Sequence, residues 1–395
     1  MVQKIKSDLL YHSFYNMLRF HFFYVWKQLR QTTYVYRILA LGLFMCLSAC
    51  SVQLPKAPKP PARFQGADSL IPPDRIFYMK DGARLPARVW SATGRGVHRR
   101  HPQAILLALH GFNDSRDAWE TVAPVLVANG ITVIAPDQRG FGAAPDRGYW
   151  VGSTRMVADA KEEATILMRE NPGVPLYVAG ESMGGAVVML LMALPDAPPI
   201  KGAILLAPAV WRLGSWVTSL LDIMAGLCPN CVVTGRDAPV HVVASDNIAA
   251  LIRLYYDPLS LRGTRLVALR GLVHLMDAAA RSASRVQGHV LCLYGGRDQL
   301  VPPEAMAKVW NRFGNNVRRD FLPRGYHLLL RDRDRSLVEQ DIISWIKHPD
   351  RFLPSGGDSA ASVWLAQRKG ETRLGSQTVP WFLPARLDAV VEHRR

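Results

Sequence analysis

The chain has 395 residues, 49% of them hydrophobic and 20% charged, which excludes a disordered polymer and leaves room for one large domain or two average ones. Its 48 Lys and Arg against 32 Asp and Glu give a formal net charge of +16. No interleaved aromatic and basic motif and no helix-turn-helix pattern accompanies that charge, so nucleic acid is not an expected partner; an anionic lipid surface accounts for the charge equally well.

Near the amino end, Ile38 to Leu47 is an uncharged apolar run that follows Arg30 and Arg37. It has the length of a signal-peptide core and is too short to span a bilayer. The run ends in Leu47-Ser48-Ala49-Cys50, which resembles the lipobox of bacterial lipoproteins. The resemblance implies cleavage of residues 1–49 and acylation of Cys50; a buried helix with a chance cysteine is the alternative. Ser51 in place of an aspartate implies the periplasmic face of the outer membrane in a bacterial envelope. The segment before Arg30 is long and aromatic for a leader (Phe20 to Trp26), which leaves Met17 as an alternative start. Cleavage before Cys50 removes six basic residues and one acidic one, so the net charge falls from +16 to +11. Residues 50–73, with Pro55-Lys-Ala-Pro-Lys-Pro-Pro61, read as an extended tether that does not pack.

From residue 74 short apolar runs alternate with helical stretches, the pattern of an α/β domain. Ile76–Met79 and Leu85–Trp90, with Asp81-Gly82 between them, predict an opening hairpin. Ala104–Leu109, Ile131–Ala135, Leu176–Ala179 and Ala203–Leu206 predict buried strands, and two more follow at His289–Tyr294 and Arg319–Leu322. Helices are predicted over Arg116–Ala128, Arg155–Glu170 and Ala186–Leu194, each closed by Asn-Gly or proline signals. Residues 209–288 interrupt the alternation with helical and loop segments and read as a cap insertion. The domain closes near 347, and 348–395 is a polar tail to which the pattern assigns no structure.

Gly180-Glu181-Ser182-Met183-Gly184 is a G-x-S-x-G between a strand-like run and a helix-like one. In that context glycines let strand and helix approach while the serine takes a strained, exposed position. A serine hydroxyl needs a base to become a nucleophile, and the base needs an acid to fix its tautomer. Asp298 follows one late strand and His327 the next, so acid and base arrive after Ser182 in that order. Backbone donors must also face the developing oxyanion. Met183 N–H, at a helix start, is one candidate; Phe112 N–H, after His110-Gly111, is the other.

Together these residues, with Asp137-Gln-Arg-Gly-Phe-Gly142 and Tyr256-Asp257-Pro258-Leu259, make residues 74–347 similar to the α/β-hydrolase superfamily, in the branch of monoacylglycerol lipases, lysophospholipases and serine aminopeptidase S33 domains. The resemblance implies a mostly parallel central sheet with helices on both faces and a helical cap. It also implies an envelope-anchored serine hydrolase acting on a lipid mono-ester, with Ser182, His327 and Asp298 as triad and Phe112 and Met183 as oxyanion donors. A peptidase or general carboxylesterase on the same fold, or a lipoprotein binding module without catalysis, are the alternatives; the oligomeric state is open. Glu181 departs from relatives that carry His there.

Other polar residues take plainer readings. Asp137 orders the loop after the fourth strand, and Asp257 caps a helix or holds the lid. His274 and His289 lack an acid at suitable spacing and read as surface or structural histidines. Cys228-Pro-Asn-Cys231 reads as a local disulfide in an oxidising envelope, since no second pair or His cluster completes a zinc site, and Cys292 reads as a buried thiol. No phosphate loop, dinucleotide fingerprint or metal set occurs, so neither cofactor nor metal is expected. Trp211, Leu213, Trp216, Val217, Leu220, Leu221, Ile223 and Met224 suit either an acyl chain or the core of the cap itself.

Overall fold

Strand formation follows the continuous apolar runs. In a computed structural model, which describes residues 53–92, 101–234 and 242–371, the opening hairpin is β1 (Arg75–Tyr78) and β2 (Arg84–Trp90), turning at Gly82 with φ of 84°. Residues 1–49, read above as a signal peptide, Cys50 and residues 372–395 lie outside the described residues. β3 (Ala104–Leu109), β4 (Ile131–Pro136), β5 (Leu176–Glu181) and β6 (Gly202–Leu206) are buried along their whole length. β7 (Val232–Thr234) and β8 (Gly263–Arg265) form a separate two-stranded ribbon. β9 (Val290–Gly295) and β10 (Val317–Leu322) complete the main sheet, whose order is β1-β2-β4-β3-β5-β6-β9-β10. β1 and β2 run antiparallel to their neighbours and the rest are parallel.

Parallel strands buried on both faces need helices on both sides. Along β5, Leu176 and Val178 face one core, and Tyr177 and Ala179 face the other. The first core is covered by α2 (Ser153–Glu170) and α3 (Met183–Met192), and the second by α1 (Ala123–Ala128). The helix expected over 116–128 is split: a 3-10 turn spans Arg116–Trp119, and α1 begins afresh with Pro124 in its first turn. Proline has no N–H to donate, so a helix starts there more readily than it passes through.

The stretch 209–288 contains α4 (Ser215–Leu227), α5 (Ile248–Tyr256) and α6 (Leu266–Ser282). α6 is shared with the main layer, since its Leu275, Ala279 and Ala280 are buried in the same core as α3. α7 (Pro303–Trp310) and α8 (Arg335–Lys347) close the two faces, with Trp310 and Trp345 as their anchors. No helix among the described residues is long and apolar enough to cross a membrane.

Both ends of the domain differ from the sequence expectation. Residues 53–73 do not extend as a free tether but lie along the domain. Arg253 donates to Ala67 O at 3.1 Å, Arg116 to Ile71 O at 2.9 Å, and Phe64 meets Tyr256 at 6.2 Å. The carbonyls of Ala67 and Ile71, beyond the proline run, thus take their donors from two arginines distant in sequence. At the other end the tail is helical over α9 (Gly357–Glu371). Trp364 stacks on Phe321 at 5.0 Å and meets Trp310 edge-on at 5.2 Å, Ala361 is buried, and Arg318 pairs with Asp358 at 2.5 Å. Trp364→Ala is therefore expected to lower the equilibrium unfolding free energy by about 2 kcal/mol, below the range for a fully buried tryptophan because this one is half-buried. An unchanged denaturation midpoint would mean that α9 is not part of the folding unit.

Candidate active site

The registers of the sheet bring the site together at the carboxyl ends of the parallel strands, where such sheets place their ligands. Leu109 pairs with Gly180 and Gly295 with Leu322, so the loops after β3, β5, β9 and β10 emerge side by side. Ser182 sits between β5 and α3 with φ of 54° and ψ of −111°, a left-handed conformation that costs a non-glycine residue energy. Its neighbours explain why the turn accepts no larger residues. A Cβ on Gly180 would lie 2.3 Å from the carbonyl carbon of Gly184, and one on Gly184 would lie 2.7 Å from His110 O. The strain is held by three backbone bonds: Ser182 N–H donates to Leu206 O at 2.9 Å, and Ala186 and Ala209 N–H donate to Ser182 O at 3.0 and 2.9 Å.

His327 follows β10 and Asp298 follows β9. His327 Nδ1 donates to Asp298 Oδ2 at 2.8 Å, while Asp298 Oδ1 accepts from the N–H groups of Leu300 and Val301 at 2.8 and 2.9 Å. Both side chains are buried. Burial works against charge on His327, but the facing Asp298 carboxylate and its hydrogen bond, with Glu181 and Asp332 behind, outweigh burial and hold the imidazole above the ordinary histidine range. Ser182 and His327 line one cavity of about 640 Å³.

The loop after β3 brings Gly111 to the serine, where a Cβ would stand 3.5 Å from that of Ser182. Phe112, the next residue, also lines the cavity. The N–H groups of Phe112 and Met183 have no protein acceptor among the described residues. His110 is fully buried; its Nδ1 bonds to Gly111 O at 2.7 Å and its Nε2 accepts from Gln138 N–H at 3.0 Å. Those partners assign the neutral Nδ1–H tautomer, and burial keeps its pKa below the ordinary value. His110 shapes the loop and has no free nitrogen for a base.

Asp137 is fully buried and bonds to Arg116 through both its backbone N–H, at 2.7 Å, and its guanidinium; Ala143 N–H adds a third bond at 2.8 Å. It organises the loop after β4. Asp257 ends α5, and its Oδ1 accepts from Leu259 N–H at 2.8 Å, which fixes the turn that brings Ser260 and Leu261 to the cavity. His274 does have an acid, Asp222 at 2.8 Å, but that exposed pair joins α6 to α4 and does not line the cavity. Cys228 and Cys231 are disulfide-bonded, and Cys292 is buried with its thiol pushed up to about 12 by desolvation. Among the described residues no cluster of His, Cys, Asp or Glu is suited to a metal.

Of the apolar residues expected of the cap, only Trp211 lines the cavity. Its walls are instead Leu251 and Leu254 of α5, Leu261 after it, and Leu272 and Met276 of α6. Leu221 and Met224 pack inward beneath α4, whereas Trp216, Leu220, Ile223 and Leu227 are exposed on one stripe of that helix. The sequence reading also missed Arg331, which donates to Asp114 at 2.6 and 3.1 Å and so ties the loop of His327 to the loop of Phe112. The only local signal is a charged pair, Arg331-Asp332, after the apolar run Leu328 to Leu330.

A mostly parallel eight-stranded sheet with a strained serine after β5 and a His–Asp pair after β9 and β10 is an α/β-hydrolase. Residues 100–334 match the family described as serine aminopeptidase, S33, and the chain belongs to that family and is a serine hydrolase. The monoacylglycerol lipase of Mycolicibacterium smegmatis is 24% identical over 271 residues, covering 67% of this chain and 93% of the relative. The mouse monoglyceride lipase is 25% identical over 280 residues, covering 68% and 88%. Among solved structures, a soluble variant of the Saccharomyces cerevisiae monoglyceride lipase with a substrate analog aligns at TM-score 0.59 and 17% identity, covering 73% of this chain and 98% of its own. The Paleococcus ferrophilus monoacylglycerol lipase aligns at 0.55 and 20%, covering 66% and 98%, so both share the fold.

Proposed function

We propose that the protein hydrolyses single-chain lipid esters, monoacylglycerols or lysophospholipids, by acyl transfer through Ser182. The observation that carries this reading is that Ser182, His327 and Phe112 line one apolar cavity, while the N–H groups of Phe112 and of Met183, next to the serine, have no protein acceptor among the described residues. Ser182 Oγ attacks the ester carbonyl carbon as its proton passes to His327 Nε2, and the carbonyl electron pair moves onto oxygen, where Phe112 and Met183 N–H receive it. Each such donor is worth about 3 kcal/mol in the transition state. His327 then returns the proton to the leaving alkoxide, and a water deprotonated by the same base releases the acyl group. Asp298 holds the Nδ1–H tautomer, which leaves Nε2 free to accept. The chain's relatives named monoacylglycerol or monoglyceride lipase support an ester substrate.

An aminopeptidase needs a free carboxylate for the substrate ammonium. Asp114, the acid in the cavity wall, is already held by Arg331, which favours the ester reading. A panel of monoacylglycerols, lysophospholipids, short esters and aminoacyl anilides tests it. The largest kcat/KM is expected for an ester with a medium or long acyl chain, and faster turnover of the anilides would overturn the assignment.

We place the enzyme at a bacterial envelope membrane, anchored through Cys50. The lipobox-like Leu47-Ser48-Ala49-Cys50 supports this, and so does the exposed stripe of α4, where Trp216, Ile223 and Leu227 are 73, 59 and 69% accessible. Two or more acyl chains at about 0.8 kcal/mol per buried methylene make a stable anchor. The mature protein is expected to begin at an acylated Cys50 and to fractionate with membranes, probed by mass spectrometry of its amino-terminal peptide. An unmodified Cys50 in a chain that still carries residues 38–49 would contradict this placement.

A further inference from the structure

The mechanism leaves one acid at the elbow unused. Glu181 ends β5 directly before Ser182; it is 0% exposed, and neither carboxylate oxygen receives a full hydrogen bond among the described residues, the backbone of Leu330 only approaching it. A buried carboxylate in that state is costly unless a charge answers it. The nearest cation is Arg331, whose Nη1 stands 3.9 Å from Glu181 Oε2, but that guanidinium already gives both terminal nitrogens to Asp114. One cation thus serves two acids, and the charge of Glu181 acts through space on His327, which lines the same cavity as the adjoining Ser182.

We infer that Glu181 is a positioning residue for the base, acting through His327 by stabilising the imidazolium that forms when the Ser182 proton is taken. Asp298 does so through a hydrogen bond from the far side of the ring, and Glu181 through space from the strand that carries the nucleophile. The other charged groups around this pair are accounted for. Asp332, on the base's own loop, is occupied by Ser245 Oγ at 2.6 Å and Tyr326 N–H at 2.7 Å. Asp114 and Glu120 face Arg331, and His110, between Asp114 and Asp137, is kept neutral by burial. Burial pushes the Glu181 carboxyl up to about 7, against the pull of Arg331 and of a charged His327. The linkage is reciprocal, since charge on either member favours charge on the other.

This inference rests on Ser182 as nucleophile and His327 as base, and its test separates the two. Full-length Glu181→Gln and Glu181→Met are compared with wild type between about pH 5 and about pH 9, following fluorophosphonate labelling of Ser182 and kcat/KM on an ester. Methionine fills the volume without charge, so the test stands if the glutamine variant fails to fold. Both variants are expected to be labelled, with the acid limb moved down by about one pH unit and the plateau rate lowered about tenfold. A folded variant whose limb does not move overturns the inference, as does a wild-type limb at or below the ordinary histidine value of about 6.5. Wild-type protein that is not labelled at all overturns the nucleophile assignment instead.

Discussion

Ser182→Ala is expected to lower ester hydrolysis by at least about 10⁴-fold while leaving the protein folded. The change removes one oxygen from a half-buried side chain. The left-handed backbone at φ of 54° is imposed by the bonds to Leu206, Ala186 and Ala209, all of which use main-chain atoms and survive the substitution. Alanine carries the same Cβ as serine, so the backbone strain is unchanged and unfolding should move by no more than about 0.5 kcal/mol. Residual activity comes from the oxyanion donors and the binding cavity, which remain. Turnover on the purified variant, with a thermal unfolding curve from the same preparation, decides the matter; near wild-type kcat would remove Ser182 from the mechanism.

Asp298→Asn should cost about 10³- to 10⁴-fold in kcat with little change in KM. The local bonds give the reason. Asp298 Oδ1 accepts two backbone N–H groups, from Leu300 and Val301, so an asparagine must keep its carbonyl oxygen there. Its NH₂ then faces His327 Nδ1 in place of Oδ2. That nitrogen has to become an acceptor, the proton moves to Nε2, and the base can no longer take a proton from serine. Asp137→Asn makes the contrast. Its carboxylate bonds to the guanidinium and main-chain N–H of Arg116, after β3, and to the main-chain N–H of Ala143, in the loop after β4, so the loss should appear in stability, with activity per folded molecule retained. Equal losses of activity in the two variants would mean that the acid has been misassigned.

Much of this was legible from residues 104 to 206, because strands buried on both faces are written as unbroken apolar runs and their ends fall within two residues of the runs. The grouping of the candidate site was legible for a different reason: a serine elbow needs glycine where backbone touches backbone, and Asp298 and His327 each follow a strand-like run. α9 was hidden because its anchors, the buried Ala361 and the half-buried Trp364, stand in a polar stretch, and the partners of Trp364, Phe321 and Trp310, lie on other elements. Which apolar residues of the cap face the cavity and which its own core was left open because amphipathic helices show which residues are apolar and not which neighbour they meet; α4 packs Leu221 and Met224 inward and turns its stripe outward, while α5 and α6 line the cavity. The Asp114–Arg331 pair joins positions 217 apart, a separation with no local signature, and Glu181 acquires its meaning only beside that pair.

The proposed mechanism requires that Ser182 be an activated nucleophile in the folded wild-type chain. Reaction with a fluorophosphonate followed by peptide mass spectrometry measures this directly. The expected result is a single adduct on Ser182, formed faster as pH rises through the titration of His327, and absent from Ser182→Ala. A folded protein that takes no adduct, or takes it on another residue, would contradict the assignment of this site.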